Sequence, residues 1–243
     1  MTSRPFLAVF IFGFITARLI AADSAPNTLT DAEKAAGWKL LFDGKSTDGW
    51  QGFKKSEIGK GWKVEDGTLK CADPRTAGDI LTKDKFGPFE LQLDYNISEN
   101  GNSGVIFHST GEGPTTWSTG PEVQLFDNNQ SGSHENQLSG WLYQLYKPAD
   151  DPKTSKPLDA TKPAGQWNHL RLLITPEKCE VDMNGQKYFD FVVGSPDWNE
   201  HVAKSKFASM VGFGKSPTGH LVLQGDHGQV SFRNIKIRPI DGK

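Results

Sequence analysis

Apolar and polar residues alternate most cleanly over Phe89-Glu90-Leu91-Gln92-Leu93-Asp94-Tyr95-Asn96-Ile97, where every second side chain is apolar. That period belongs to a strand with one buried face, so Glu90, Gln92 and Asp94 share the other face. Shorter runs of the same kind fill the chain: Trp38 to Phe42, Trp62 to Val64, Thr68 to Cys71, Gly104 to Ser109, Glu122 to Phe126, Trp141 to Leu145, Trp167 to Thr175, Cys179 to Met183, Tyr188 to Val192, His220 to Gln224 and Val230 to Arg238. Asp66-Gly67 and Asn184-Gly185 stand between such runs and predict tight hairpins.

Helical patterns are few. Thr30-Asp31-Ala32-Glu33 has the form of a capping box opening a short helix that ends near Gly37, and Ser195-Pro196-Asp197 has the cap and first-turn proline of a second, running toward Ala203. Lys147 to Gly165, rich in Pro, Asp and Lys, reads as a long surface loop. No internal repeat or second core interrupts the meander. The expectation is one all-β domain over residues 37–241, a jelly-roll sandwich of two antiparallel sheets behind a lead-in helix within residues 23–36.

The first 22 residues have a different pattern. Arg4 precedes an apolar run from Phe6 to Ile15 and on to Ile20, followed by Ala21-Ala22-Asp23, the layout of a secretory signal peptide. Arg18 breaks the apolar stretch, which favours cleavage over a retained membrane span. The protein is therefore expected to be secreted or periplasmic, with no membrane span after cleavage. The remaining chain carries 25 basic and 29 acidic residues, a balance that argues against a nucleic-acid partner. For Cys71 and Cys179, spacing leaves open a disulfide or two buried thiols.

Candidate chemistry concentrates in three places. Glu122 and Gln124 lie two apart on one strand and point to the same side. The spacing resembles that of jelly-roll glucanases, but those need two carboxylates and no second one stands nearby. Asn102-Ser103-Gly104 feeds a strand ending in His108, and Gly225-Asp226-His227-Gly228 places a histidine and a carboxylate in a glycine-rich break. Trp117 and Trp141 are candidate sugar platforms, because a flat apolar ring suits the C–H face of a pyranose. Rossmann, P-loop, zinc-finger and Gly-x-Ser-x-Gly signatures are absent.

Taken in order, Gly37 to Lys45 with Gly49-Trp50, Trp62 to Leu69, Asn102-Ser103-Gly104, Pro121-Glu122-Val123-Gln124 with Asp127, Trp167-Asn168-His169, Asn184-Gly185 and Leu223 to Ile237 resemble the 3-keto-disaccharide hydrolase domain family. Members commonly carry arginine where this chain has His108. The resemblance implies a concanavalin A-like jelly roll that cleaves 3-keto-glucosides or 3-keto-disaccharides, oxidised beforehand by a partner glycoside 3-dehydrogenase. A 3-ketone acidifies the C2 proton and allows the aglycone at C1 to leave by elimination, after which water adds back. That route needs one base and one enolate stabiliser instead of paired carboxylates.

On this reading Glu122 or His227 is the base, His108 and Gln124 hold the keto-enolate and hydroxyls, and Asn102 and Asp127 shape the pocket. Trp141, Trp117, Tyr143 and Arg233 complete the substrate-binding set. No cofactor is assigned with certainty, and His108, Glu122, Gln124 and His227 together could ligate a divalent metal, and the Asp- and Asn-rich loops a structural calcium. The rival readings are a non-catalytic carbohydrate-binding, lectin-like module and a partner-binding domain of an envelope complex.

Overall fold

The computed structural model describes residues 25–132 and 136–240, so the expected signal peptide lies outside the described residues. A short helix α1 (Asp31–Ala35) leads in, and both halves of its capping box form: the Thr30 hydroxyl accepts from Glu33 N while the Glu33 carboxylate accepts from Thr30 N. The strands follow in the order β1 (Lys39–Leu40), β2 (Trp50–Gly52), β3 (Trp62–Glu65), β4 (Thr68–Cys71), β5 (Ile80–Thr82), β6 (Phe89–Ile97), β7 (Asn102–Ser109) and β8 (Glu122–Phe126). Then come β9 (Asp150–Asp151), β10 (Lys156–Pro157), β11 (Asn168–Ile174), β12 (Cys179–Met183), β13 (Gln186–Phe191), β14 (His220–Leu223) and β15 (Val230–Pro239).

They build two antiparallel sheets in a concanavalin A-like jelly-roll sandwich. The larger runs β13-β12-β11-β6-β15-β4-β3, with β1 beside the far end of β15; the smaller runs β2-β5-β14-β7-β8. Alternation decides which side chains meet between them. Leu91, Leu93, Tyr95 and Ile97 of β6 pack against Val105 and Phe107 of β7 and Val123 and Leu125 of β8 in one buried cluster. Glu90 and Asp94 face outward from the larger sheet, where Arg171 bridges Glu90, Glu180 and Asp182 and His169 meets Asp94. That face is therefore a closed network of charges.

Both predicted hairpins form, with the left-handed backbone that favours Gly, Asn or Asp: φ is 49° and 70° at Asp66-Gly67 and 51° and 78° at Asn184-Gly185. The second predicted helix is α2 (Pro196–Lys204), capped by the Ser195 hydroxyl accepting from Trp198 N at 3.1 Å. Other expectations are corrected. Trp141 to Leu145 is not a strand: only Leu142 bridges Val123, and Gln144 at φ 66° turns the chain back. The Lys147 to Gly165 loop contains the small β9-β10 ribbon, and the short strands β2 and β5 carry too few residues for their alternation to be read.

Cys71 and Cys179 are buried free thiols. They lie on β4 and β12 of one sheet with β15, β6 and β11 between them, four strand spacings or about 19 Å apart, too far for a bridge. Burial pushes their pKa values to about 12 and about 11, which leaves both as inert core thiols.

Candidate active site

The outer face of the smaller sheet carries the chemistry. In the β7-β8 ladder Gly104 lies opposite Gln124 and Ile106 opposite Glu122, while Val105 and Val123 point into the core. Asn102, Glu122 and Gln124 therefore project to the outside, and Gln124 Nε2 donates to Asn102 Oδ1 at 2.6 Å. Strand β8 would be an open edge, but residues 140–143 cover it: Gln124 N donates to Trp141 O, Gly140 N to Gln124 O and Tyr143 N to Glu122 O. This brings Tyr143 to the rim. A cleft of about 140 Å³ results, lined by Asn102, Trp117, Glu122, Gln124, Gln137, Tyr143, Lys206, Gln224 and His227.

Two of the walls are set by packing far from the cleft. Lys206 follows α2 in a loop anchored by Phe207, whose ring stacks on Phe213 at 4.0 Å, which in turn stacks on Trp198. The anchored loop carries the Lys206 ammonium over the rings of Trp117 and Tyr143, 4.4 Å from each centroid. Trp117 sits in a 3₁₀ turn (Thr116–Ser118) held by Thr116, whose hydroxyl donates to Asp79 Oδ2 at 2.5 Å. Asp79 also accepts from Gly225 N at 3.2 Å, tying this turn to the segment that ends in Asp226-His227.

Glu122 is 6% exposed. Burial raises its pKa to about 7; Lys206 and His227 pull it down, whereas Asp79 and Asp226 push it up. His227 goes above the usual imidazole value because Nδ1 is hydrogen-bonded to the Asp226 carboxylate, which is correspondingly lowered by that bond. Burial lowers Lys206, partly opposed by Glu122. The cleft thus sets a carboxyl with a pKa of about 7 beside an imidazole raised by Asp226 and the Lys206 side chain, an acid-base arrangement over a sugar-compatible aromatic wall.

Residues 37–238 match the family described as the 3-keto-alpha-glucoside-1,2-lyase-like domain. The chain belongs to this family. It is a glycoside hydrolase-like member by its relatives as well. A protein of Bacteroides thetaiotaomicron named 3-keto-disaccharide hydrolase is 27% identical over 240 residues, spanning 85% of this chain and 80% of the relative. The crystal structure of a candidate glycosyl hydrolase from Parabacteroides distasonis superposes with a TM-score of 0.79 at 34% identity, over 89% of this chain and all of that one. A second such protein of the same organism gives 0.61 at 25% identity, over 84% of this chain and 99% of its own.

Within this 3-keto-alpha-glucoside-1,2-lyase-like domain, Glu122, Gln124, Asn102, Trp117, Tyr143 and His227 come together as sequence reasoning expected. Four others do not. His108 takes φ 52° at a bulge, where Phe107 and His108 together face the single residue Leu221, and so leaves the outer face. Its ring packs edge-on against Phe89 and Phe107 and its Nε2 meets Gly87 O at 2.9 Å. Asp127 accepts from Asn100 N and Asn129 N and shapes the β7-β8 end loops without lining the cleft. Trp141 is part of the covering segment and is buried without lining the cleft, and Arg233 belongs to the opposite sheet, bound to Asp94 and stacked on Trp167.

Lys206, Gln137, Gln224 and the supporting Asp79 were not identified from sequence. Gln224 had a signal, since alternation puts it on the side of Val222, which packs with Ile106 on the outer face. Lys206 had none, being placed by an aromatic stack that no local pattern reveals. The metal set suggested by His108, Glu122, Gln124 and His227 is broken by the displacement of His108. Among the described residues no three His, Cys, Asp or Glu side chains converge as a cation site. No described helix is long and apolar enough to cross a membrane.

Proposed function

We propose that the protein is an exported enzyme that cleaves the glycosidic bond of 3-keto-glucosides by elimination followed by hydration. The observation that carries this reading is that Glu122 is the single carboxyl lining the cleft among the described residues, buried and with a pKa of about 7. Displacement at the anomeric carbon needs two carboxyl groups across the bond. Removal of a proton made acidic by a neighbouring ketone needs one base near the working pH.

The Glu122 carboxylate takes the C2 proton, and the C–H electron pair moves to the C3 carbonyl oxygen as an enolate facing Lys206. The enolate re-forms the ketone, a C1–C2 double bond forms, and the C1–O bond breaks. The leaving oxygen takes a proton from His227, which Asp226 keeps charged. Water then adds to C1 and a proton returns to C2, giving the free 3-keto sugar. Gln124, Asn102 and Gln224 hold ring hydroxyls, and Trp117 with Tyr143 supplies the apolar wall. A glycoside 3-dehydrogenase must act first to supply the ketone.

Turnover in deuterium oxide tests this. The released keto sugar is expected to carry deuterium at C2 above the enzyme-free exchange level. Protium retained at C2 with full aglycone release would replace elimination by direct displacement. Binding without turnover would favour a lectin-like module.

A further inference from the structure

Asp79 stands immediately before β5, and its main chain is tied to the neighbouring segment, where Phe53 N donates to Asp79 O at 3.0 Å. Its carboxylate divides between two walls of the Glu122 cleft without lining that cleft itself. Oδ2 accepts from the Thr116 hydroxyl at 2.5 Å, and Thr116 O accepts from the Ser109 hydroxyl at 2.8 Å, so the turn that presents Trp117 is pinned at two points. Oδ1 accepts from Gly225 N at 3.2 Å. That amide is one of four successive backbone groups held just before Asp226: Gln224 N donates to Gly104 O, Gln224 O accepts from the Ser103 hydroxyl, and Gly225 O accepts from the Cys71 thiol.

We infer that Asp79 is a positioning residue, a single carboxylate that fixes the Trp117 wall and the Asp226-His227 pair relative to each other across the cleft. The inference rests on the reading of that cleft as the place of bond cleavage, with His227 as the acid. Two effects follow from one group. Its oxygens set distances, which a neutral amide also does, because the Thr116 hydroxyl can turn to accept from the amide nitrogen while the amide oxygen takes Gly225 N. Its charge does what an amide cannot, raising the pKa of both Glu122 and His227. The titratable groups around it are Glu122 on β8, Asp226 and His227 ahead of β15, Lys55 beyond β2 and the neutral Cys71 thiol on β4.

The test measures kcat and KM on a 3-keto-glucoside as a function of pH in wild type, Asp79→Ala, Asp79→Asn and Thr116→Val. Asp79→Ala frees both walls and is expected to lower kcat/KM about 100-fold. Asp79→Asn should recover most of that loss while both limbs of the pH profile move to lower pH, a shift that a merely structural role would not produce. Thr116→Val frees the Trp117 turn alone and should raise KM about tenfold with little change in kcat. If Asp79→Ala does not fold, the limbs of Asp79→Asn and the KM of Thr116→Val decide. Wild-type kcat/KM in folded Asp79→Ala, a loss in Asp79→Asn as deep as in Asp79→Ala, or limbs that stay in place in Asp79→Asn overturns the positioning role, while turnover by wild type leaves the Glu122 reading intact. Wild type inert on the 3-keto-glucoside overturns that reading, and the positioning role with it.

Discussion

Gly104 lies beside Glu122 so closely that a Cβ on it would come within 2.0 Å of Glu122 Oε1. The glycine of the Asn-Ser-Gly motif is thus the seat of the buried carboxyl, and its backbone has no need of left-handed freedom. Gly104→Ala is expected to fold, to displace the carboxyl and to lower kcat about 100-fold, the scale of a misplacement near 1 Å. Wild-type turnover in Gly104→Ala would remove the Glu122 position from the mechanism.

Burying Glu122 has a stability cost with a definite pH signature. The folded carboxyl keeps its proton to about 7, whereas its ordinary value is 4.5. Between these values the folded chain binds more protons, so stability falls as pH rises, and the full cost of about 3 kcal/mol is present above pH 7. Glu122→Gln should abolish turnover yet be more stable than wild type above pH 7, with the advantage vanishing below about pH 4.5. Parallel denaturant titrations at pH 4 and pH 8 check this.

The dependence of kcat/KM on pH should be bell-shaped. The rising limb reports ionisation of Glu122 at about 7, and the falling limb loss of the His227 proton, held above the usual histidine range by Asp226. Asp226→Asn is expected to move the falling limb to lower pH. Lys206→Met removes a charge that lowers Glu122 and should move the rising limb to higher pH. Limbs that stay in place in both variants would contradict these assignments.

His108 supplies a contrast. With its ring packed on Phe89 and Phe107 and bonded to Gly87 O, it supports the fold and touches no part of the cleft. His108→Asn, which tolerates the left-handed backbone, should cost about 1 kcal/mol of stability for the lost hydrogen bond while retaining turnover. Thermal melts beside initial rates decide it.

Local periodicity made much of this legible. Strict alternation announced β6 and the shared face of Glu122 and Gln124, and Asp-Gly and Asn-Gly announced their hairpins, because these features depend only on neighbours in the chain. His108 was misplaced for the same reason: continued alternation puts it beside Gly104 and Ile106, and only the bulge opposite Leu221, visible in the paired strand, turns it away. Lys206 and Asp79 depend on contacts across the fold, the Phe207-Phe213-Trp198 stack and the Thr116 and Gly225 bonds, which no window of sequence contains.

The most direct measurement is aglycone release by the purified chain from a 3-keto-glucoside and from its unoxidised parent, followed by mass spectrometry with and without chelator. Release from the keto form alone, undiminished by chelator, is the predicted result, because the C3 carbonyl is what lets one carboxyl at position 122 suffice. Equal release from the unoxidised parent would contradict it.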